Sequence, residues 1–78
     1  MPRFKVMSGR EVRALLEANG FIFARQRGSH MILVRTIKNE DGTQTTISIP
    51  VPDHKEVAIG TLGGIIKRSG LPRELFEV

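Results

Sequence analysis

Val12, Leu15, Leu16 and Asn19 recur at i, i+3, i+4 and i+7, with Arg10, Arg13 and Glu17 between them. The first three form an apolar stripe at helical spacing, which predicts a one-sided helix over about 9–19. Ser8-Gly9-Arg10-Glu11 just ahead of it is a capping box, in which each side chain satisfies an unpaired N–H of the first turn. Gly20 stands where a left-handed helix end is wanted. The period then changes. Phe21-Ile22-Phe23-Ala24-Arg25-Gln26 is short, aromatic and β-branched, and reads as a strand. Arg27-Gly28-Ser29 is a tight turn into a second strand, His30-Met31-Ile32-Leu33-Val34-Arg35. Asp41-Gly42, within Asn39-Glu40-Asp41-Gly42, supplies the positive φ that a hairpin needs. Thr45-Thr46-Ile47-Ser48-Ile49 alternates with period two, as a strand with one buried face does. Pro50 and Pro52 are expected to end it, since proline donates nothing to a ladder.

After an irregular loop over 51–60, Thr61 is the expected N-cap of a second helix over 62–69, with Leu62, Ile65 and Ile66 as its apolar face. Gly63 and Gly64 weaken that helix by about 1 kcal/mol each relative to alanine. Gly70 stops it, and 71–76 can add one more turn with Pro72 at its start. The order is α-β-β-β-α. Two helices with single apolar stripes must share one face of a three-stranded antiparallel sheet, an α+β arrangement that leaves the other face, or the edges and loops, for work.

A chain of 78 residues without repeat, low-complexity tract or linker is expected to be one domain over 1–78. The absence of cysteine excludes a disulfide scaffold, thiolate catalysis and cysteine-ligated metal. No apolar run approaches the ~20 residues of a membrane span. Met1-Pro2-Arg3-Phe4-Lys5-Val6-Met7 lacks a leader's apolar stretch, so a cytoplasmic location is expected, with no membrane partner. The net charge is +4, but it is unevenly spread. Residues 1–38 hold eight Lys/Arg against Glu11 and Glu17, whereas residues 39–78 hold four against six acidic residues. A basic half on a small domain favours a polyanionic partner, with nucleic acid first and an anionic membrane second, although the charge alone fits solubility equally well.

Several segments together resemble a known family. Gly9-Arg10-Glu11-Val12 and Leu15-Leu16-Glu17-Ala18-Asn19-Gly20-Phe21 lead into Arg25-Gln26-Arg27-Gly28-Ser29-His30. Ile49-Pro50-Val51-Pro52-Asp53-His54-Lys55-Glu56-Val57 and Gly60-Thr61-Leu62 follow, with Ile65-Ile66-Lys67-Arg68-Ser69-Gly70-Leu71 behind them. In that order and spacing, from about residue 5 to about residue 76, the chain resembles the HicA (YcfA-like) toxins of toxin–antitoxin pairs. The resemblance implies a double-stranded-RNA-binding-domain-like α-β-β-β-α fold. It also implies cleavage of mRNA and neutralisation by a HicB-type antitoxin protein. The family's active histidine, in the Gly-Ser-His element, falls on His30. The chain departs from the family's usual pattern at Gly63-Gly64 and in the longer hairpin over 35–46.

The chemistry asks little of such a protein. RNA carries its own nucleophile, the 2′-hydroxyl; a base must take that proton, an acid must protonate the leaving 5′-oxygen, and positive charge must face the phosphate. Histidine can fill the acid or the base role near neutrality. Spacing alone leaves two readings of His30: an acid–base group, or a turn-capping side chain sharing the core-side parity of Ile32 and Val34. The resemblance favours the first. Arg25, Arg27 and Arg35 are candidates to clamp phosphate, and Ser29, Lys38 and Lys55 are further candidates for RNA contact. Ser29 has no evident triad partner, so it is not read as a nucleophile. His54 is a candidate second acid–base group, and otherwise an exposed loop histidine.

Neither metal nor small-molecule cofactor is expected: the two histidines lack ligand spacing, and 60–64 lacks the lysine of a nucleotide loop. With no Trp or Tyr, only four Phe could stack on bases, and Phe21, Phe23 and Phe76 read as core or hinge. Two other functions fit the same features. One is a non-catalytic RNA-binding module of this fold; the other is a degenerate toxin acting only as an antitoxin-binding partner.

Overall fold

The first helix is fixed at its start by the capping box. In a computed structural model, which describes residues 3–78, the Glu11 N–H donates to Ser8 Oγ at 3.1 Å and the Ser8 N–H donates to Glu11 Oε1 at 2.9 Å. Met1 and Pro2, the start of the stretch without a leader's apolar run, lie outside the described residues. The helix, α1, runs Gly9–Ala18 and closes at Asn19, whose side-chain amide donates to the Leu15 carbonyl at 2.8 Å. Then come β1 (Ile22–Arg27), β2 (His30–Lys38), β3 (Gln44–Pro52), α2 (Ile59–Ser69) and a 3₁₀ turn, Arg73–Phe76.

The three strands form one antiparallel sheet in the order β1-β2-β3. Met31 pairs with Val51 and Leu33 with Ile49, so these four share a face. They join Val12 and Leu16 of α1, Leu62, Ile65 and Ile66 of α2, and Phe76 in a single buried cluster. Both helices therefore lie on that face. The α+β layout read from the hydrophobic pattern is the one observed.

Three boundaries differ by more than two residues, each for a physical reason. β3 does not stop at the prolines but passes through Pro50, paired with Ile32, and Pro52, paired with His30. The Asp53 N–H donates to the Ser29 carbonyl at 2.7 Å, so odd-numbered residues at this end point their N–H toward β2. Even-numbered positions face the sheet's outer edge, where a missing donor costs the ladder nothing. Second, α2 begins at Ile59 with Ala58 as an N-cap that makes no side-chain bond; Thr61 lies inside the helix. The Val57 N–H bonds to the Met7 carbonyl at 2.8 Å, and the Leu62 N–H already reaches the Ala58 carbonyl at 2.9 Å, which closes the first turn early. Third, β2 continues to Lys38 because Gln44, Thr45 and Thr46 extend β3 opposite it. The chain ends are also tied: the Lys5 N–H donates to the Phe76 carbonyl at 2.7 Å and the Val78 N–H to the Arg3 carbonyl at 2.8 Å.

Candidate active site

The sheet face away from the helices is built by strand parity and one irregularity. Phe23 pairs with Leu33 toward the helices, but Arg25 pairs with Ile32, so the register shifts around Ala24. This bulge re-aims the rest of β1. Arg25 and Arg27 turn to the open face, while Gln26 joins Met31 on the helix side. Across the open face the register gives successive rows: Arg27, His30, Pro52; then Arg25, Ile32, Pro50; then Ile22, Val34, Ser48. Neighbours within such a row have Cβ atoms about 4.5–5.5 Å apart.

His30 is exposed at the corner of this face. Ile32 is only 6% exposed yet lies outside the main core cluster, and it belongs to the same side as His30. The core-side reading of His30 is thereby excluded: the helix face takes Met31 and Leu33, and His30 takes the other. The turn that delivers it is held from two directions. The Gln26 side-chain amide donates to the Gly28 carbonyl at 3.0 Å, and the Ser29 carbonyl receives the Asp53 N–H. Gly28 sits at φ +56°, a conformation that costs an L-residue with a side chain. Arg27, Gly28, His30 and Ile32 line a shallow groove of about 500 Å³.

Charge is distributed in favour of this face. The three strands contain Arg25, Arg27, Arg35 and Lys38 and not one carboxylate. Among the described residues no carboxylate stands within ion-pair distance of any of the four. The cations of α1 are engaged instead. Arg10 Nε meets Asp53 Oδ1 at 3.4 Å, and Arg13 Nε meets Glu17 Oε1 at 3.4 Å while its guanidinium lies 4.0 Å from the Phe23 ring centre. Of the eight cations of residues 1–38, the two on α1 are thus engaged and the four on the sheet have no carboxylate partner among the described residues, while Arg3 and Lys5 precede both elements.

The remaining candidates are not all gathered at His30. Arg35 pairs with Ile47 in the helix-side parity and leans over Gly20 at the sheet's edge. Lys38 has the parity of His30 but stands eight residues along β2, about 26 Å away. Ser29 is exposed in the turn, and Lys55 is exposed in the bend after β3. His54 follows Pro52, the cross-strand neighbour of His30, by two residues, and its carbonyl accepts the Gly9 N–H at 2.8 Å. The backbone around His54 is therefore fastened at the same corner. Among the described residues no three His, Asp or Glu side chains are grouped to hold a metal ion.

A family model described as the HicA toxin of bacterial toxin–antitoxin systems matches residues 9–71. The chain belongs to the HicA toxin family. As a HicA toxin it is the toxin member of a toxin–antitoxin pair, and the family implies a HicB-type antitoxin as its partner. A search of curated proteins and one of solved structures found no significant match. The HicA match runs from the first residue of α1 past the end of α2, so it contains every residue of the groove. No described helix of this HicA toxin is long and apolar enough to cross a membrane. Sequence reasoning passed over Ile32 and Gly28 as parts of the site. The signal for Ile32 was its parity with His30, and it became readable only once the face of His30 was known.

Proposed function

We propose that this HicA toxin is an endoribonuclease that cleaves mRNA in the cytoplasm, with His30 as general acid or base, and that the HicB-type antitoxin restrains it. The observation that carries the reading is the position of His30: exposed, on the uncovered face, beside Arg27 and one row from Arg25. In the reaction the substrate's 2′-oxygen loses its proton and attacks the adjacent phosphorus, and the 5′-oxygen leaves with a proton. The products are a 2′,3′-cyclic phosphate and a 5′-hydroxyl end. His30 takes the first proton or supplies the second, a role worth about 10²–10⁴ in rate. Arg27 and Arg25 face the phosphate as its oxygens gain charge, and a guanidinium offers two parallel donors for them. His54, fastened at the same corner, is the candidate for the complementary role. Ser29 and Lys55 border the site, and Lys38 meets RNA farther along the strand.

The test incubates purified toxin with a long RNA in the presence of a chelator, beside a folded His30→Ala variant prepared identically. Cleavage by the wild type alone supports the proposal. Binding without cleavage by either protein turns the reading to a non-catalytic RNA-binding module, and cleavage by both places the chemistry elsewhere.

A further inference from the structure

A second depression, of about 550 Å³, lies beyond the groove at His30, and of its lining residues the proposed reaction uses only Arg25. Ile22, Val34, Thr36, Arg25 and Arg35 are among the residues lining it. Ile22 is 71% exposed, an isoleucine whose side chain contributes nothing to the core. Val34 beside it is half-buried. An apolar floor is therefore flanked by two arginines, neither with a carboxylate in ion-pair distance among the described residues. Gly20 makes room for one of them: a Cβ there would stand 3.4 Å from Arg35 Nε. The depression neighbours the first groove on the sheet, with Arg25 and Ile32 in the row between His30 and Val34. The two centres are about two rows, or 13 Å, apart along β2.

We propose that this depression is a binding subsite for one unpaired nucleobase flanking the cleaved bond. The base lies on Ile22 and Val34, and its phosphates meet Arg25 and Arg35. The inference rests on the ribonuclease reading of the same face. An apolar floor gains nothing from phosphate or ribose, whereas every base offers an apolar face, and a guanidinium plane can cover its other side. A duplex hides those faces in its own stack, so the subsite selects single-stranded RNA. With an apolar floor and no aromatic ring in its lining, it holds a base by its face without demanding its identity.

Three uncleavable probes of equal length test this: a 2′-O-methyl hexanucleotide, an abasic phosphodiester hexamer, and the 2′-O-methyl strand annealed to its complement. Affinity is read by fluorescence anisotropy, and the Ile22 and Val34 methyl signals by carbon–proton NMR, with the core methyls of Leu33 as control. The expected result is that the 2′-O-methyl strand shifts both methyl sets, while the abasic and duplex probes bind about tenfold more weakly and leave them in place. Ile22→Ser, at an exposed position, should remove about fivefold of the affinity for the base-bearing strand and none of that for the abasic one. Equal affinity for base-bearing and abasic strands overturns the proposal. So does an equal loss on both in Ile22→Ser, or no binding at all, and the depression then belongs to a protein partner. Cleavage of long RNA, measured separately, keeps the two readings apart. Cutting with equal abasic affinity sinks the subsite and spares the ribonuclease, and shifted methyls without cutting do the reverse.

Discussion

His30 and Pro52 face each other across the β2–β3 ladder, and through Pro52 the histidine is coupled to the start of α1. Gly9 comes so close to the Pro52 carbonyl that a Cβ added to it would overlap the oxygen. The Gly9 N–H meanwhile donates to the His54 carbonyl. Three elements thus set the backbone on which both histidines stand.

Gly9→Ala is the direct probe of that coupling. The added methyl meets backbone rather than a flexible side-chain end, so α1 and β3 must separate. Overpacking of this kind costs about 1–3 kcal/mol. Cleavage should fall even at temperatures where the variant is fully folded, because Pro52 shifts against His30. Thermal melts beside single-turnover rates check this, and an unchanged rate on a destabilised fold would show that the site tolerates the displacement.

Ser8→Ala removes a cap without touching the open face. It should lower stability by about 1 kcal/mol, which for a domain of this size is about 4–8 °C in Tm. The cleavage rate of the folded variant should equal that of the wild type. A selective loss of activity would mean that the α1 terminus contributes to the site directly.

The acid limb of stability follows from two carboxylates. Glu11 is held below its ordinary range by the Ser8 backbone N–H and then by the Ser8 hydroxyl. Asp41 is held low by the Thr43 hydroxyl, at 2.6 Å, and then by the Thr43 N–H, at 3.0 Å. A depressed folded-state pKa gives stability that is present above the unfolded-state value and lost as pH falls through the folded one. The loss should begin near the ordinary values of 4.5 and 3.8 and continue below them. Denaturant melts of Glu11→Gln and Asp41→Asn from neutral pH to below 3 should each run flatter than the wild type there. Parallel curves would show that the hydrogen bonds form equally in the unfolded chain.

Element order and the capped start of α1 were legible because they depend on local chemistry: Ser8 with Glu11, the glycines at 20, 28, 42 and 70, and the Asp41-Gly42 turn. The course of β3 was not, because the cost of proline in a strand depends on whether another strand lies outside it, and that is a property of the sheet. The face of His30 was ambiguous for a similar reason. Met31 and Leu33 are as apolar as Ile32 and Val34, so β2 alone does not choose. The choice is made by β3, where Ile49 and Val51 pair with Leu33 and Met31 and carry them to the helices. The arginines needed one step more: read as a regular strand, β1 sends Arg25 to the side of Phe23, and only the bulge at Ala24 separates them.

That separation predicts which cations matter. Arg25→Ala and Arg27→Ala should each weaken RNA binding and reduce the slope of log affinity against log salt by about 0.7, the value for one phosphate contact on a single strand. Arg13→Ala, whose guanidinium is occupied by Glu17 and Phe23, should leave the slope unchanged and lower stability instead. Salt titrations of the three variants check this. A slope lost in Arg13→Ala and kept in the β1 variants would move the RNA to the helix side of the sheet.

The division of labour between the histidines can be read from their combination. If His30 and His54 move the two protons of one step, removing either disables the same event, and the losses do not add. His30→Ala should lower kcat by about 10²–10⁴, His54→Ala should lower it within the same range, and the double variant should be little worse than His30→Ala. KM should stay nearly constant throughout if, as proposed, Arg25 and Arg27 hold the phosphate. Independent, multiplying losses would mean separate roles. A fully active His54→Ala would leave the second proton to water and confine the function of His54 to the backbone contact it makes with Gly9.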